Sequence, residues 1–192
     1  MKESSWAARI FDFVEKKKVP EEYAPFLIRD YISPSLDTTI SAICHLVHQL
    51  SLFPHQWELL RSRPELAKRA ISEAIRLGSP IRSFARVVSE DVEVEGTFIP
   101  KNSRVMMLFA SANRDEKMFS NSDEFDLERP VSEHLGFGHG IHTCVGMHLA
   151  QMEMQALLEA LISRVQEIEI LEFVPLANNT ISGFSVMNGR YS

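Results

Sequence analysis

Apolar residues recur at helical spacing through the first third of the chain. Ile10, Phe11 and Val14 share one side of a segment that Ser4 or Ser5 can cap and that runs from Trp6 to about Lys17, with Pro20 closing it. Phe26, Leu27, Ile32, Leu36, Ile40, Ile43, Val47 and Leu50 mark a longer helix, from Glu21 or Pro25 to about Leu52. Pro34 falls inside it, where the missing N–H and the ring predict a kinked or widened turn. Pro54 stops this run. His55 to Arg61 predicts a short helix, Pro64 suits the first turn of another that reaches Leu77, and Gly78-Ser-Pro80 breaks the pattern.

The period then changes. Val92-Glu-Val-Glu-Gly-Thr-Phe-Ile99 alternates around a glycine and predicts a hairpin. Arg104 to Phe109 reads as a strand, with Met106 and Met107 as strand core. Ala110 to Thr143 is rich in Asn, Asp, Ser, Pro and Gly, and a loop of that length calls for a function. From about Cys144 a helix resumes to Arg164, with Leu149, Met152, Ala156, Leu157, Ala160 and Leu161 at core-like spacing. Gln166 to Val174 and Ile181 to Met187 predict two strands separated by Asn178-Asn179. Helices, then a small β region, a loop, a helix and strands make an α+β chain, mainly α.

The balance of 45% hydrophobic and 24% charged residues in 192 is that of a globular chain. Twenty Lys and Arg against 26 Asp and Glu leave a net charge of −6, so no basic stripe for nucleic acid is expected. The longest uncharged apolar stretch, Val105 to Ala112, is too short for a bilayer, and the first six residues lack a secretory pattern. These features predict a cytoplasmic chain without membrane attachment. Cys44 and Cys144 cannot build a disulfide framework or supply four thiolates to an iron–sulfur cluster.

The densest chemistry lies in Phe137-Gly-His-Gly-Ile-His-Thr-Cys144-Val-Gly146. Gly136, Gly138 and Gly140 let the backbone turn tightly and approach a flat ligand. Cys144 stands at the mouth of a helix, where free amides favour a thiolate. An anionic sulfur beside a glycine-lined concavity suits an axial ligand to haem iron, and His142 could reach a propionate. Other readings of the same residues are a buried inert thiol, or a zinc site from His139, His142 and Cys144. Glu73 and Arg76, three apart on a helix, are by themselves a surface ion pair. Asp37-Thr38 is by itself an acid beside a hydroxyl that bonds back to the preceding turn. Cys44, His45 and His48 read as ordinary packing, and Met152 as helix core.

Together these landmarks resemble the cytochrome P450 monooxygenases. Phe137, Gly138, Gly140, His142, Cys144 and Gly146 fall on that family's haem-binding signature. Glu73-Ala-Ile-Arg76 matches its Glu-x-x-Arg pair, Phe125 to Pro130 the segment whose arginine, Arg129, completes that network, and Leu36-Asp-Thr-Thr39 the acid–alcohol pair of the distal helix. Pro34 and Ser35 stand where the family usually has smaller residues. The resemblance covers nearly the whole chain as the C-terminal half of the family's fold, so residues 1–192 form one partial P450 domain. It leaves Ile10, Phe11, Phe26 and Leu27 without the helices that normally cover them.

The resemblance implies haem b (iron protoporphyrin IX) ligated by Cys144 and held at its propionates by His142 and Arg86, with Asp37 and Thr38 delivering protons. It implies insertion of one oxygen atom from O2 into a small organic substrate, lined in part by Ser79 to Phe84 and the hairpin near Phe184. Electrons would come from a ferredoxin or flavoprotein. A non-catalytic haem-binding or interaction module, a split enzyme completed by a separate N-terminal half, and a truncated product without a stable fold are the competing readings.

Overall fold

A computed structural model describes residues 5–130 and 133–192. They form two compact units, divided between Thr39 and Ile40. In the first, α1 (Trp6–Glu15) starts where Ser5 Oγ accepts from the Ala8 amide at 3.2 Å. The alternative cap, Ser4, lies outside the described residues. Lys17 in the left-handed region and then Pro20 prevent the helix from continuing. A 3-10 turn, Glu21–Tyr23, leads into α2 (Ala24–Leu52), which passes through Pro34 without interruption. Ser35 Oγ donates to Ile32 O at 2.7 Å and Thr38 Oγ1 to Pro34 O at 2.6 Å, so two hydroxyls serve carbonyls around the proline. Trp6 stacks on Tyr31 with ring centroids 4.8 Å apart. Phe11, Phe26 and Leu27 are exposed, but Ile10 is buried, against the sequence expectation.

The second unit is built on the rest of α2. Ala42, Leu46 and Leu50 recur every four residues and bury one stripe. That stripe belongs to one core with Trp57 and Leu60 of α3 (Pro54–Ser62), Ala70, Ile71, Ala74 and Ile75 of α4 (Ala67–Gly78), and Met154 and Leu158 of α6 (Met147–Arg164). Leu46, Leu60 and Leu158 are each 0% exposed and contribute about 1.5–3 kcal/mol apiece. The Trp57 indole N–H finds the Gln166 carbonyl at 2.9 Å, so its burial leaves no orphan donor. α4 is sunk in the core almost all round. Its small residues permit this: a Cβ on Gly78 would sit 2.5 Å from the His45 ring.

Among the described residues, three two-stranded antiparallel sheets complete the unit: β1 (Phe84–Val87) with β4 (Arg104–Met107), β2 (Val92–Val94) with β3 (Thr97–Ile99), and β5 (Ile168–Pro175) with β6 (Phe184–Tyr191). Asn178 Oδ1 accepts from the Thr180 and Ile181 amides, both at 2.8 Å, and so shapes the last turn. That turn is pinned to the segment after α4 by a bridge between Ile81 and Ile181 and by Ser182 N–H donating to Pro80 O at 3.0 Å.

Some core expectations fail. Met106 and Met107 point to opposite faces of the β1–β4 ribbon and both are exposed, because among the described residues neither face is covered at that end. The strand also ends at Met107, and Phe109–Ala112 turns into a one-turn helix, α5. In α6 the buried residues are Met154 and Leu158, while Met152 is exposed. No helix among the described residues is long and apolar enough to cross a membrane.

Candidate functional site

The site rests on a buried ion triad. Arg76, on the sunken face of α4, forks onto Glu73, with Nε 2.8 Å from Oε2 and Nη2 2.7 Å from Oε1. Arg129 Nε donates to the same Oε1 at 2.8 Å. Side-chain exposures of 2% for Arg76, 7% for Glu73 and 8% for Arg129 take the triad out of the surface class. Burial by itself would raise the Glu73 carboxyl. The hydrogen bonds and charges of Arg76 and Arg129 outweigh it and hold the pKa below the ordinary glutamate value.

The remaining guanidinium donors turn outward to backbone. Arg76 reaches the carbonyls of Asn113 at 2.8 Å, Ser122 at 2.6 Å and Glu124 at 3.0 Å, with the Phe119 ring against its plane. Arg129 takes Ser120, Asn121 and Glu124. Two arginines thereby replace a sheet as the partner for a long irregular loop, which answers where its buried carbonyls are satisfied.

The thiol-bearing loop follows. His134 Nδ1 accepts from the Gly136 amide at 3.0 Å, and burial lowers the His134 pKa, which suits a neutral ring with Nδ1 as acceptor. Two 3-10 turns, Leu135–Phe137 and Gly140–His142, then fold the chain back, and Cys144 N–H donates to Phe137 O at 2.8 Å. Gly136 is required by packing: a Cβ there would lie 2.4 Å from Ile75 Cγ2. Gly138 is required twice over, by φ +72° and by the His142 carbonyl 2.8 Å from its missing Cβ. α6 begins at Met147 with Gly146 as N-cap, so Cys144 lies two residues before the cap rather than in the first turn. The Cys144 sulfur stands 3.9 Å from the position of a Gly146 Cβ, an ordinary van der Waals contact, so residue 146 lies directly beside the thiol.

Cys144 is exposed. Beside it Ile141 is 97% and Val145 93% exposed, bare apolar side chains on either flank of a thiol. His142 is exposed at the end of its turn. Arg86 lies on β1, where its Nη1 donates to Ala85 O at 2.9 Å, with no hydrogen bond to the thiol loop. Asp37 is exposed and Thr38 half-buried on α2, in the other compact unit. The structure thus joins Glu73, Arg76 and Arg129 in one network, and Phe137, Gly138, His142, Cys144 and Gly146 in one loop. Among the described residues no three His, Cys, Asp or Glu side chains converge as a metal-binding group, so His139, His142 and Cys144 do not gather into a zinc site.

Sequence reasoning missed Asn113, which is fully buried and bonds to both α4 and the thiol loop. Its one local signal was a polar residue ending the apolar run that starts at Val105.

A family profile described as Cytochrome P450 matches residues 54–168. The chain belongs to the cytochrome P450 family. It is 39% identical over 181 residues to cytochrome P450 CYP199A2 of Rhodopseudomonas palustris, covering 93% of this chain and 43% of that protein. Linalool 8-monooxygenase of Pseudomonas putida is 40% identical over 153 residues, 76% of this chain and 38% of the relative. The solved structure of cytochrome P450-153 from Novosphingobium aromaticivorans superposes with a TM-score of 0.78 at 35% identity, over 81% of this chain and 40% of that one. The chain therefore has the α+β fold of a portion of a P450, and it spans about two fifths of the length of these relatives.

P450 proteins hold a haem. The residues present fit one: a single exposed thiol, glycines that clear the backbone around it, and bare Ile141 and Val145 that a flat apolar macrocycle would cover.

Proposed function

We propose that this chain forms the haem-thiolate part of a P450 monooxygenase acting on a small organic substrate. The observation that carries the reading is the exposed Cys144 thiol, on a residue whose backbone N–H donates to Phe137 O and which is flanked by two bare apolar side chains. Bound haem would supply activation of O2, one atom entering the substrate and the other leaving as water.

The chain's residues supply the rest. Cys144 Sγ would ligate the iron, with Phe137, Gly138 and Gly146 shaping the loop around it. His142 and Arg86 would bind propionates, since Arg86 has only a local carbonyl partner to give up. Thr38 Oγ1, whose proton now lies on Pro34 O, would release it by a change of χ1, and exposed Asp37 would replenish it from water. Electrons would arrive from a ferredoxin or flavoprotein. Exposed Phe26, Leu27, Ile32 and Leu36 on α2 favour a second reading, in which a separate N-terminal polypeptide covers this helix and completes the enzyme.

The test is to add haem to the chain, reduce it under carbon monoxide and record the difference spectrum. A thiolate-type Soret band that disappears in Cys144→Ala supports the reading. A band typical of free or histidine-bound haem, unchanged by that substitution, removes it. Turnover that appears only on adding an N-terminal half selects the split enzyme.

A further inference from the structure

Among the described residues, the hydrogen bonds of the thiol loop close almost entirely within it. Gly136 N–H serves His134, Gly138 serves Leu135, His142 serves His139, Thr143 serves Gly140 and Cys144 serves Phe137. Between Glu133 and Gly146, one bond reaches across to another part of the fold: Leu135 N–H donates to Asn113 Oδ1 at 2.7 Å. Leu135 opens the turn whose last residue, Phe137, holds the Cys144 amide.

Asn113 is itself immobilised on three sides. It is 0% exposed. Its Nδ2 donates to Ser79 Oγ at 3.0 Å, and Ser79 Oγ donates in turn to Arg76 O at 3.0 Å. Its carbonyl accepts from Arg76 Nη1 at 2.8 Å, and its N–H closes α5 on Phe109 O at 2.9 Å. Because Leu135 N–H can only donate, the amide orientation is fixed with Oδ1 toward the loop. A continuous path thus runs from Glu73 through Arg76, Asn113 and Leu135 to the turn that carries Cys144.

We propose that Asn113 is a positioning residue for the thiol, hanging the loop's first turn from the buried triad and so setting where Cys144 Sγ stands. Its functional meaning rests on the haem-thiolate reading; the bond itself does not. Other bonds in the loop fix its internal shape, and the Ile75–Gly136 contact resists approach without setting direction.

The test compares three variants in the full chain. Asn113→Leu keeps the branched shape, with added bulk, and removes both side-chain bonds. Asn113→Asp keeps an oxygen for Leu135. Ser79→Ala removes the partner of Nδ2, together with that hydroxyl's own bond to Arg76 O, and leaves the bond to Leu135 in place. In the haem-free chain, the Leu135 amide exchanges with deuterium roughly tenfold faster in Asn113→Leu, the worth of one buried hydrogen bond, and at nearly the parent rate in the other two. After haem addition, the thiolate-type share of the carbonyl spectrum falls in Asn113→Leu and is restored in Asn113→Asp. Unchanged Leu135 exchange in Asn113→Leu overturns the proposal. So does equal loss in Ser79→Ala, which would mean general loosening. Should Asn113→Leu fail to fold, slow Leu135 exchange retained in both Asn113→Asp and Ser79→Ala supports the proposal, and its loss in either one overturns it. A parent chain without any thiolate-type band defeats the haem reading while the exchange comparison still decides the role of Asn113.

Discussion

Arg129 spans 56 positions of sequence to place its Nε 2.8 Å from Glu73 Oε1, the same oxygen that Arg76 Nη2 holds at 2.7 Å. One carboxylate thus closes a ring between a buried helix and the loop that leads to the thiol. Replacing it leaves two buried guanidinium groups without a counter-charge. Glu73→Gln is expected to lose about 3–5 kcal/mol, read as a lower urea midpoint at an unchanged slope. A loss below about 1 kcal/mol would place the triad with ordinary surface pairs.

The buried histidines set an acid limit. His45 is pushed down from 6.5 to about 4, chiefly by burial, with the neighbouring His48, Arg82 and Arg114 charges adding to it against the raising effect of Ser182. A histidine depressed in the fold takes up protons more readily when unfolded. Its contribution is therefore complete above pH 6.5 and declines as the pH falls toward 4. From pH 7 to pH 5 this removes about 2 kcal/mol. His48 and His134 are shifted the same way by burial and add to the decline. Glu73, depressed by its arginines, contributes fully above its unfolded value of 4.5, so it takes no part in the decline there and loses its contribution only below that. His45→Gln should flatten, without abolishing, the fall in denaturation free energy across this range.

Gly138 and Gly140 both have positive φ, at +72° and +62°, but only Gly138 has a carbonyl 2.8 Å from where a Cβ would go. Gly140→Ala meets nothing within 4 Å and costs only the left-handed strain, about 1–2 kcal/mol. Gly138→Ala must also displace His142 O. Haem titration of the two variants should show weakened thiolate-type binding for Gly138→Ala and near-parent binding for Gly140→Ala.

On α6, Met154 and Leu158 are each 0% exposed and Met152 is 63% exposed. Leu158→Ala and Met154→Ala are each expected to cost about 2–5 kcal/mol, and Met152→Ala less than about 0.5 kcal/mol. Equal costs in denaturant melts would mean that the buried face has been misassigned.

That face shows what the sequence could and could not disclose. α6 carries two interleaved apolar stripes, Leu149, Met152 and Ala156 against Met147, Met154 and Leu158, and a period of 3.6 fits either. Only tertiary packing chooses between them. The long helices were legible because prolines at 20, 54 and 64 punctuate them, and the hairpin at Gly96 because alternation is local. Met106 and Met107 misled because strand patterning assumes a covering layer. At the site, the run from Phe137 to Cys144 was legible as a contiguous motif. Asn113 was not, since its meaning lies in partners at Ser79 and Leu135, 34 and 22 positions away. The acceptors of Arg76 and Arg129 left no trace either, being main-chain oxygens.

Those acceptors leave the loop free to vary. Arg76, on Ser122 and Glu124, and Arg129, on Ser120, Asn121 and Glu124, grip only carbonyls and make no bond to the side chains mounted there. At exposed Ser120 and Glu124 the inner surface can stay fixed while the outer surface drifts, so these two can be recoded to suit a new neighbour, whereas Ser122, which is buried, and Asn121, held at φ 48°, stay tied to the interior that supports the cysteine.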